Sequence, residues 1–395
     1  IKERSAKLNT LRGLMERDII RLSNTAAAES GKAVAEARAG VMKGIEVIDY
    51  ALSLQNMDSG GVLEVSRGVT CEYRREPLGV VAGIVPFNFP AMVPCWMFPI
   101  AITLGNAFIL KPSEKVPLTS QILGELIVEA GFPTGIFSMI NGGQEAVEAL
   151  IDHEDIKAIG FVGSTAIAKK VFQRATSNSK RCLALGGAKN PLIVVPDADE
   201  KVTVPGVVDS FTGCAGQRCM AASAMVAVGD VDHIIEKLCE EARNIIPGKN
   251  LGSVISAEAK LRIENYINEA EAQGAKILVD GRGAIVDGCE EGYYVGPTII
   301  DNVTPDMKIA REEVFGPVIS ILRVSTLDEA IKIENSSKYG NAAAVFTQSG
   351  GLARYVAEHA SAGMIGVNIG VPVPREPFAF GGWNESRFGT GDITG

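Results

Sequence analysis

Residues 78–111 read LGVVAGIVPFNFPAMVPCWMFPIAITLGNAFILK, and from Leu78 to Leu110 the run carries no charge. On length alone such a run is sufficient to cross a bilayer. Pro86, Pro90, Pro94 and Pro99 fall within fourteen residues of it, however, with Asn88 and Asn106 alongside. Each interior proline removes a helix hydrogen bond, and hydrocarbon offers no replacement partner. The stretch therefore predicts a buried strand, a loop and a short buried helix.

The same alternation extends outward in both directions. Apolar runs at Val80–Val85, Phe108–Leu110, Ile136–Ile140 and Ile159–Val162 are separated by helical patterns over 118–130 and 144–152. Continuous apolar strands between helices indicate a parallel sheet covered on both faces. A second alternation begins near Pro191. Its strands are expected at Leu192–Val195, Ala224–Val228, Ile277–Val279, Val318–Arg323, Ala342–Thr347 and Met364–Asn368, with helices over 232–245, 256–273, 327–336 and 351–360. Upstream, Leu8, Leu11, Met15, Ile19 and Leu22 recur at helical spacing, so residues 3–57 read as helices. Residues 61–75 alternate around Gly68 as an exposed β-hairpin. The result is an α/β chain of two units joined near 186–190.

Of 395 residues, 46% are hydrophobic and 22% charged, a globular balance that excludes a disordered or fibrous chain. The net charge of −9, without a basic run, argues against nucleic acid and anionic membrane partners. Seven cysteines with no C-x-x-C pair, and three histidines, suggest neither a disulfide framework nor a metal site. A reducing, cytoplasmic setting is expected, and residues 1–12 show no signal-peptide pattern.

Four segments could carry chemistry. Cys219 follows Phe211-Thr212-Gly213-Cys214-Ala215-Gly216-Gln217-Arg218, where small residues let a substrate approach and Arg218 is expected to lower the thiol pKa. A buried, inert thiol is the competing reading. It is preferred for Cys71, Cys95, Cys182, Cys239 and Cys289, and Cys214 lacks an adjacent arginine. Asn88 follows an apolar strand, where α/β sheets place ligands, and its amide suits either an oxyanion or a turn. Lys111 and Glu114 close the next strand, as a clasp for ribose hydroxyls that would repel a 2′-phosphate, or as a solvated turn. Gly163 and Ser164 open a helix whose free N–H groups suit pyrophosphate, although Ser164 is also a simple N-cap and no G-x-G-x-x-G is present.

In order and spacing these segments resemble the aldehyde dehydrogenase superfamily from Gly31-Lys32 to Phe388-Gly389. Through Pro86–Pro99, Gly186–Asn190 and Gly216–Met220 the chain is similar to its CoA-acylating malonate- and methylmalonate-semialdehyde branch. The resemblance implies an aldehyde dehydrogenase fold: a Rossmann-like NAD-binding domain (1–57 and 77–186), an oligomerisation hairpin (58–76), a catalytic domain (187–376) and a C-terminal segment (377–395) returning toward the first. The family's final strand, which pairs between subunits, would lie beyond Gly395. The resemblance also implies Cys219 as nucleophile, with Asn88 and the Cys219 amide as the oxyanion hole. Phe87, Lys111, Glu114, Gly163, Ser164, Glu313 and Phe315 would hold NAD, and the enzyme would be a homo-oligomer, dimer or tetramer.

Two departures shape the expected activity. Hydrolytic relatives carry a water-activating glutamate in Glu-Leu-Gly-Gly-Lys. Here Ala184-Leu185-Gly186-Gly187-Ala188-Lys189-Asn190 has no carboxylate, so CoA is the expected acyl acceptor and acyl-CoA the product. A free acid formed by hydrolysis is the alternative, and a non-catalytic binding member is the rival of another class. The branch also clamps the substrate acid group with two arginines. Arg218 matches one, whereas Lys43 replaces the other, keeping the charge but losing the bidentate fork. The aldehyde is thus expected to be anionic, with a carboxylate or a sulfonate. Ala168 stands where the family has a second glycine in the Ser164 helix.

Overall fold

The computed structural model describes residues 1–56 and 60–393. Positions 57–59, where the expected boundary between helices and hairpin falls, lie outside the described residues, as do 394 and 395.

Two sheets organise the chain. The first has six strands in the order Arg387–Phe388, Arg181–Leu185, Ile156–Val162, Val80–Ile84, Ala107–Lys111, Phe137–Met139, parallel except for the first. The second has seven, in the order Lys276–Val279, Thr298–Asp301, Val318–Val324, Ala222–Val228, Asn190–Val194, Ala342–Phe346, Met364–Val367, again parallel except for the first. The chain passes between them directly through residues 186–189. The first sheet's carboxyl ends therefore meet the second sheet's amino ends.

Strand side chains alternate between two buried faces. Val81 packs with Leu8, Phe98 and Ile122 under the N-terminal helices, whereas Ala82 and Ile84 pack with Leu150, Ala168 and Val171 on the other side. In the second sheet Leu192 and Met225 face Val207 and Phe211, while Ile193 and Val226 face Ile331 and Val356. Helices Lys2–Arg17, Ile19–Ser30 and Val34–Ser53 bury the stripe Leu8, Leu11, Met15 and Leu22.

The uncharged stretch resolves into strand Val80–Ile84, a loop and helix Met92–Thr103, which contains Pro99. Among the described residues no helix is long and apolar enough to cross a membrane. That helix lies close to the sheet because Gly83 and Gly160 stand side by side in register. A Cβ on either would lie 2.9 Å from the Met97 sulfur.

Several elements depart from the periodicity. Strands Arg181–Leu185 and Thr298–Asp301 are additional, and helix Glu200–Thr212 is hidden in the pattern by Pro205. Gly61–Ser66 and Val69–Tyr73 form the antiparallel hairpin, with Gly68 in the left-handed region at its turn. Both faces are open, leaving Val62 and Leu63 more than two-thirds exposed.

Gly83→Val should therefore wedge Phe108 and Met97 apart. Overpacking of this kind costs about 1–3 kcal/mol, and a thermal melt should show a lowered midpoint.

Candidate active site

Strand Val80–Ile84 has later strands on both sides, Ala107–Lys111 and Ile156–Val162. At such a reversal of strand order the connections leave in opposite directions and open a crevice at the carboxyl ends. A cleft of about 1280 Å³ occupies this position. It is lined by Phe87, Asn88, Lys111 and Glu114 from the first sheet, together with Gly163 and Ser164. From the second sheet come Cys219, Glu313 and Phe315. Nine residues singled out from sequence thus share one cavity.

The loop that delivers Cys219 is tightly wound. Cys214, Ala215 and Gly216 are consecutively left-handed, at φ 53, 52 and 68°. Such conformations are costly for residues with a Cβ and persist where the surroundings enforce them. At Gly216 only glycine fits, because a Cβ would lie 1.9 Å from the Gly316 carbonyl oxygen. The Cys219 loop and the Glu313–Phe315 loop are thereby in backbone contact. Asn190 Nδ2 (2.7 Å) and Asn341 Nδ2 (3.2 Å) both donate to the Cys219 carbonyl, fixing its peptide plane. The N–H groups of Cys219 and Met220 converge on the sulfur. Asn88 Nδ2 donates to Gln217 O at 3.0 Å, which leaves its second N–H for a ligand.

The expectation that Arg218 makes the resting thiol acidic is corrected. Burial, followed by the charge of Glu313, pushes Cys219 up to about 12, against the opposing pull of backbone N–H groups and Arg218. Arg218 turns its Nη2 to the carbonyls of Asp209 (2.6 Å) and Ser210 (3.0 Å) at the end of helix Glu200–Thr212, where free carbonyls collect. Its buried Nε has no hydrogen-bond partner among the described residues. Neither Arg218 nor Lys43, the two residues expected to bind the substrate acid group, lines the cleft, and the Lys43 charge is not free. Its ammonium pairs with Glu376 at 3.0 Å and Glu46 at 3.2 Å, and the Glu376 side chain is only 6% exposed. A carboxylate that well buried requires a cation.

Segment 184–190 lacks a carboxylate of its own, as the sequence states, but one reaches it from elsewhere. Glu313 accepts from the Ala188 N–H, and a Cβ on Gly187 would lie 2.4 Å from its Oε2. Burial raises this carboxyl to about 7, while Ala188, Lys189 and Arg262 oppose the shift. Lys189, itself buried, is lowered in turn and donates to Ser223 O at 3.2 Å.

The remainder of the cleft suits a dinucleotide. Its volume exceeds that of ordinary small-metabolite pockets. Lys111 Nζ lies 3.1 Å from Glu114 Oε2, with Glu114 58% exposed at the mouth. Partial burial would raise the Glu114 carboxyl, but its own N–H and Lys111 hold it below the usual range. Helix Thr165–Ser177 starts on the cleft, and Ser164 does not cap it by its side chain, so its positive end is open to an anion. The rings of Phe87 and Phe315 meet edge-on at 5.9 Å. Tyr266, Tyr339 and Arg262 also line the cleft. No sequence pattern marked these three, nor Asn341, although Asn190 lay inside a quoted motif.

This arrangement defines an NAD-type cleft opening onto a cysteine beside an amide donor, and the chain belongs to the aldehyde dehydrogenase family, whose model matches residues 1–394. It is 46% identical over 370 residues to malonate-semialdehyde dehydrogenase 1 of Geobacillus thermodenitrificans, covering 91% of this chain and 76% of that protein. The crystal structure of methylmalonate-semialdehyde dehydrogenase from Oceanimonas doudoroffii superposes with a TM-score of 0.97 at 41% identity, covering 98% and 81% of the two chains. The NAD+ complex of aldehyde dehydrogenase from Bacillus cereus matches with a TM-score of 0.93 at 30% identity, covering 98% and 79%.

For a thiol held near 12, carboxamidomethylation of Cys219 in the ligand-free protein should climb about tenfold per pH unit from pH 7 to 9 without a plateau. Glu313→Gln, which removes a charge that raises the thiol once the carboxyl ionises near 7, should be faster above that pH and unchanged below it. Peptide mass spectrometry with timed quenching reads both.

Proposed function

We propose that this enzyme oxidises a short anionic semialdehyde with NAD through a thiohemiacetal and then a thioester on Cys219, and passes the acyl group to CoA. The observation that carries this reading is a partly buried cysteine and an unfilled amide N–H in one cleft, beside a 184–190 segment without a carboxylate of its own. The relatives' names supply the substrate class, malonate or methylmalonate semialdehyde.

In this mechanism Cys219 gives up its proton to solvent in the cleft, and its sulfur bonds to the aldehyde carbon as the carbonyl electron pair moves onto oxygen. The resulting oxyanion is held by the free Asn88 N–H and the Cys219 N–H, a donor pair of the kind whose members each contribute roughly 2.7–4 kcal/mol. Bound NAD supplies the hydride acceptor. Lys111 and Glu114 hold its adenosine ribose, and Glu114 disfavours a 2′-phosphate. Gly163, Ser164 and the open helix end take the pyrophosphate, while Phe87, Glu313 and Phe315 position the nicotinamide end. CoA thiolate then attacks the thioester carbonyl, and the Cys219 thiolate leaves. Arg218 is the cation we assign to the acid group, and because Asp209 and Ser210 hold its guanidinium outside the cleft lining it must turn to reach a substrate. Lys43 contributes less because Glu376 already neutralises it.

We assign the first sheet and its helices (1–57 and 77–186) to NAD binding and residues 187–376 to catalysis. The open hairpin within 58–76 supports self-association into a homo-oligomer, since a two-stranded ribbon is marginal alone. Free cysteines fit a reducing, cytoplasmic setting.

Glu313 favours one secondary reading. A carboxyl lifted to about 7 is a competent base at neutral pH. It supports slow hydrolysis of the thioester when CoA is absent.

With NAD and malonate semialdehyde but no CoA, rapid mixing should show a burst of NADH followed by slow turnover. Adding CoA should restore full rate and give acyl-CoA, and a CoA-independent full rate with free acid as product would defeat the acylating reading. The residual hydrolysis should increase as pH rises through about 7, because only the ionised carboxylate is a base. Glu313→Gln should abolish that rise.

A further inference from the structure

Residues 31–36, at the start of helix Val34–Ser53, touch three parts of the site at once. Lys32 is 8% exposed, its ammonium donates to the Asn88 carbonyl, and it stands 3.8 Å from the centroid of the Phe89 ring. Glu36 spreads its carboxylate, with Oε1 accepting from the Cys214 N–H at 2.5 Å and Oε2 from the Ala33 N–H at 3.2 Å. Gly31 O accepts from the Ser253 N–H at 2.8 Å, and Ser253 O accepts from Gln217 Nε2 at 3.4 Å. With the Asn88–Gln217 bond, and Gln217 Nε2 to Cys214 O at 3.4 Å, these contacts close a ring. It runs from Lys32 through Asn88, Gln217 and Cys214 to Glu36.

Burying an ammonium is expensive, and a methionine would fill the same volume without that penalty. The charge is kept here where the ammonium donates to the carbonyl of Asn88, with the Cys214 side chain and the Glu36 carboxylate also acting on it. We propose that Lys32 is a positioning residue for the oxyanion donor: it pins the Asn88 peptide so that one amide N–H meets Gln217 and the other faces the aldehyde oxygen. Glu36 anchors the opposite side of the ring by holding the first residue of the nucleophile loop. The proposal rests on the reading of Asn88 and Cys219 given above.

Single and double variants of the full chain, assayed with NAD and malonate semialdehyde at saturating CoA, test it. Lys32→Met should lower kcat about tenfold or more, short of the 10²–10³-fold loss typical when an oxyanion donor is removed outright. KM for NAD and the rate of Cys219 alkylation should stay at wild-type values, which a general loosening of the site would not allow. Lys32→Arg should recover part of kcat. In an Asn88→Ala background the Lys32→Met loss should largely vanish, because the group it positions is gone. Independent, multiplying losses, or an unchanged kcat in Lys32→Met, would overturn the proposal. An unchanged kcat in Asn88→Ala alone would overturn it too, and would identify the reading of Asn88 as the point of failure. If Lys32→Met does not fold, Lys32→Gln, which keeps a donor, completes the same cycle.

Discussion

A parallel strand covered on both faces can place polar groups only at its ends. That constraint organises this molecule. Val80–Ile84, Ala107–Lys111, Ile156–Val162 and Arg181–Leu185 deliver Asn88, Lys111, Ser164 and Gly187 to their carboxyl ends. The second sheet meets them with its amino ends, placing Cys219 ahead of Ala222–Val228 and Glu313 ahead of Val318–Val324. The connection through 186–189 is so short that the two sheets share one cavity rather than facing separate ones. The core is equally continuous, for Leu8 in the first helix and Phe346 in the second sheet belong to one buried cluster.

Much of this was legible because it depends on local pattern. Proline spacing excluded a membrane helix over 78–110, and apolar runs located most strands to within a residue or two. Strand ends then pointed to the segments that carry ligands, and the family resemblance assembled them. What escaped depended on partners distant in the chain. Pro205 sits inside a helix that packing sustains against its local cost. Arg218 adjoins Cys219 in sequence, but its guanidinium is drawn to Asp209 and Ser210. Lys43 looked like an available cation until Glu376, 333 residues away, neutralised it.

Buried charge is the theme that joins these corrections. Lys32, Lys189, Glu313 and Glu376 all lie in surroundings where an ion is costly, and the fold gives each of them a specific neighbour. None of the four pairings follows from adjacency. The acidity of the Cys219 thiol likewise follows from the dryness of its surroundings more than from the residue beside it. Sequence identifies which ionisable groups a chain has, whereas folding decides their solvation and therefore their reactivity.

The space left by Gly187 has a consequence of its own. Glu313 occupies room that any larger side chain at that position would claim. The carboxylate whose charge bears on the Cys219 sulfur is thus admitted by a residue with no functional group of any kind. Sequence drift or redesign at this one site would displace Glu313, and with it both the charge felt at Cys219 and one wall of the cleft.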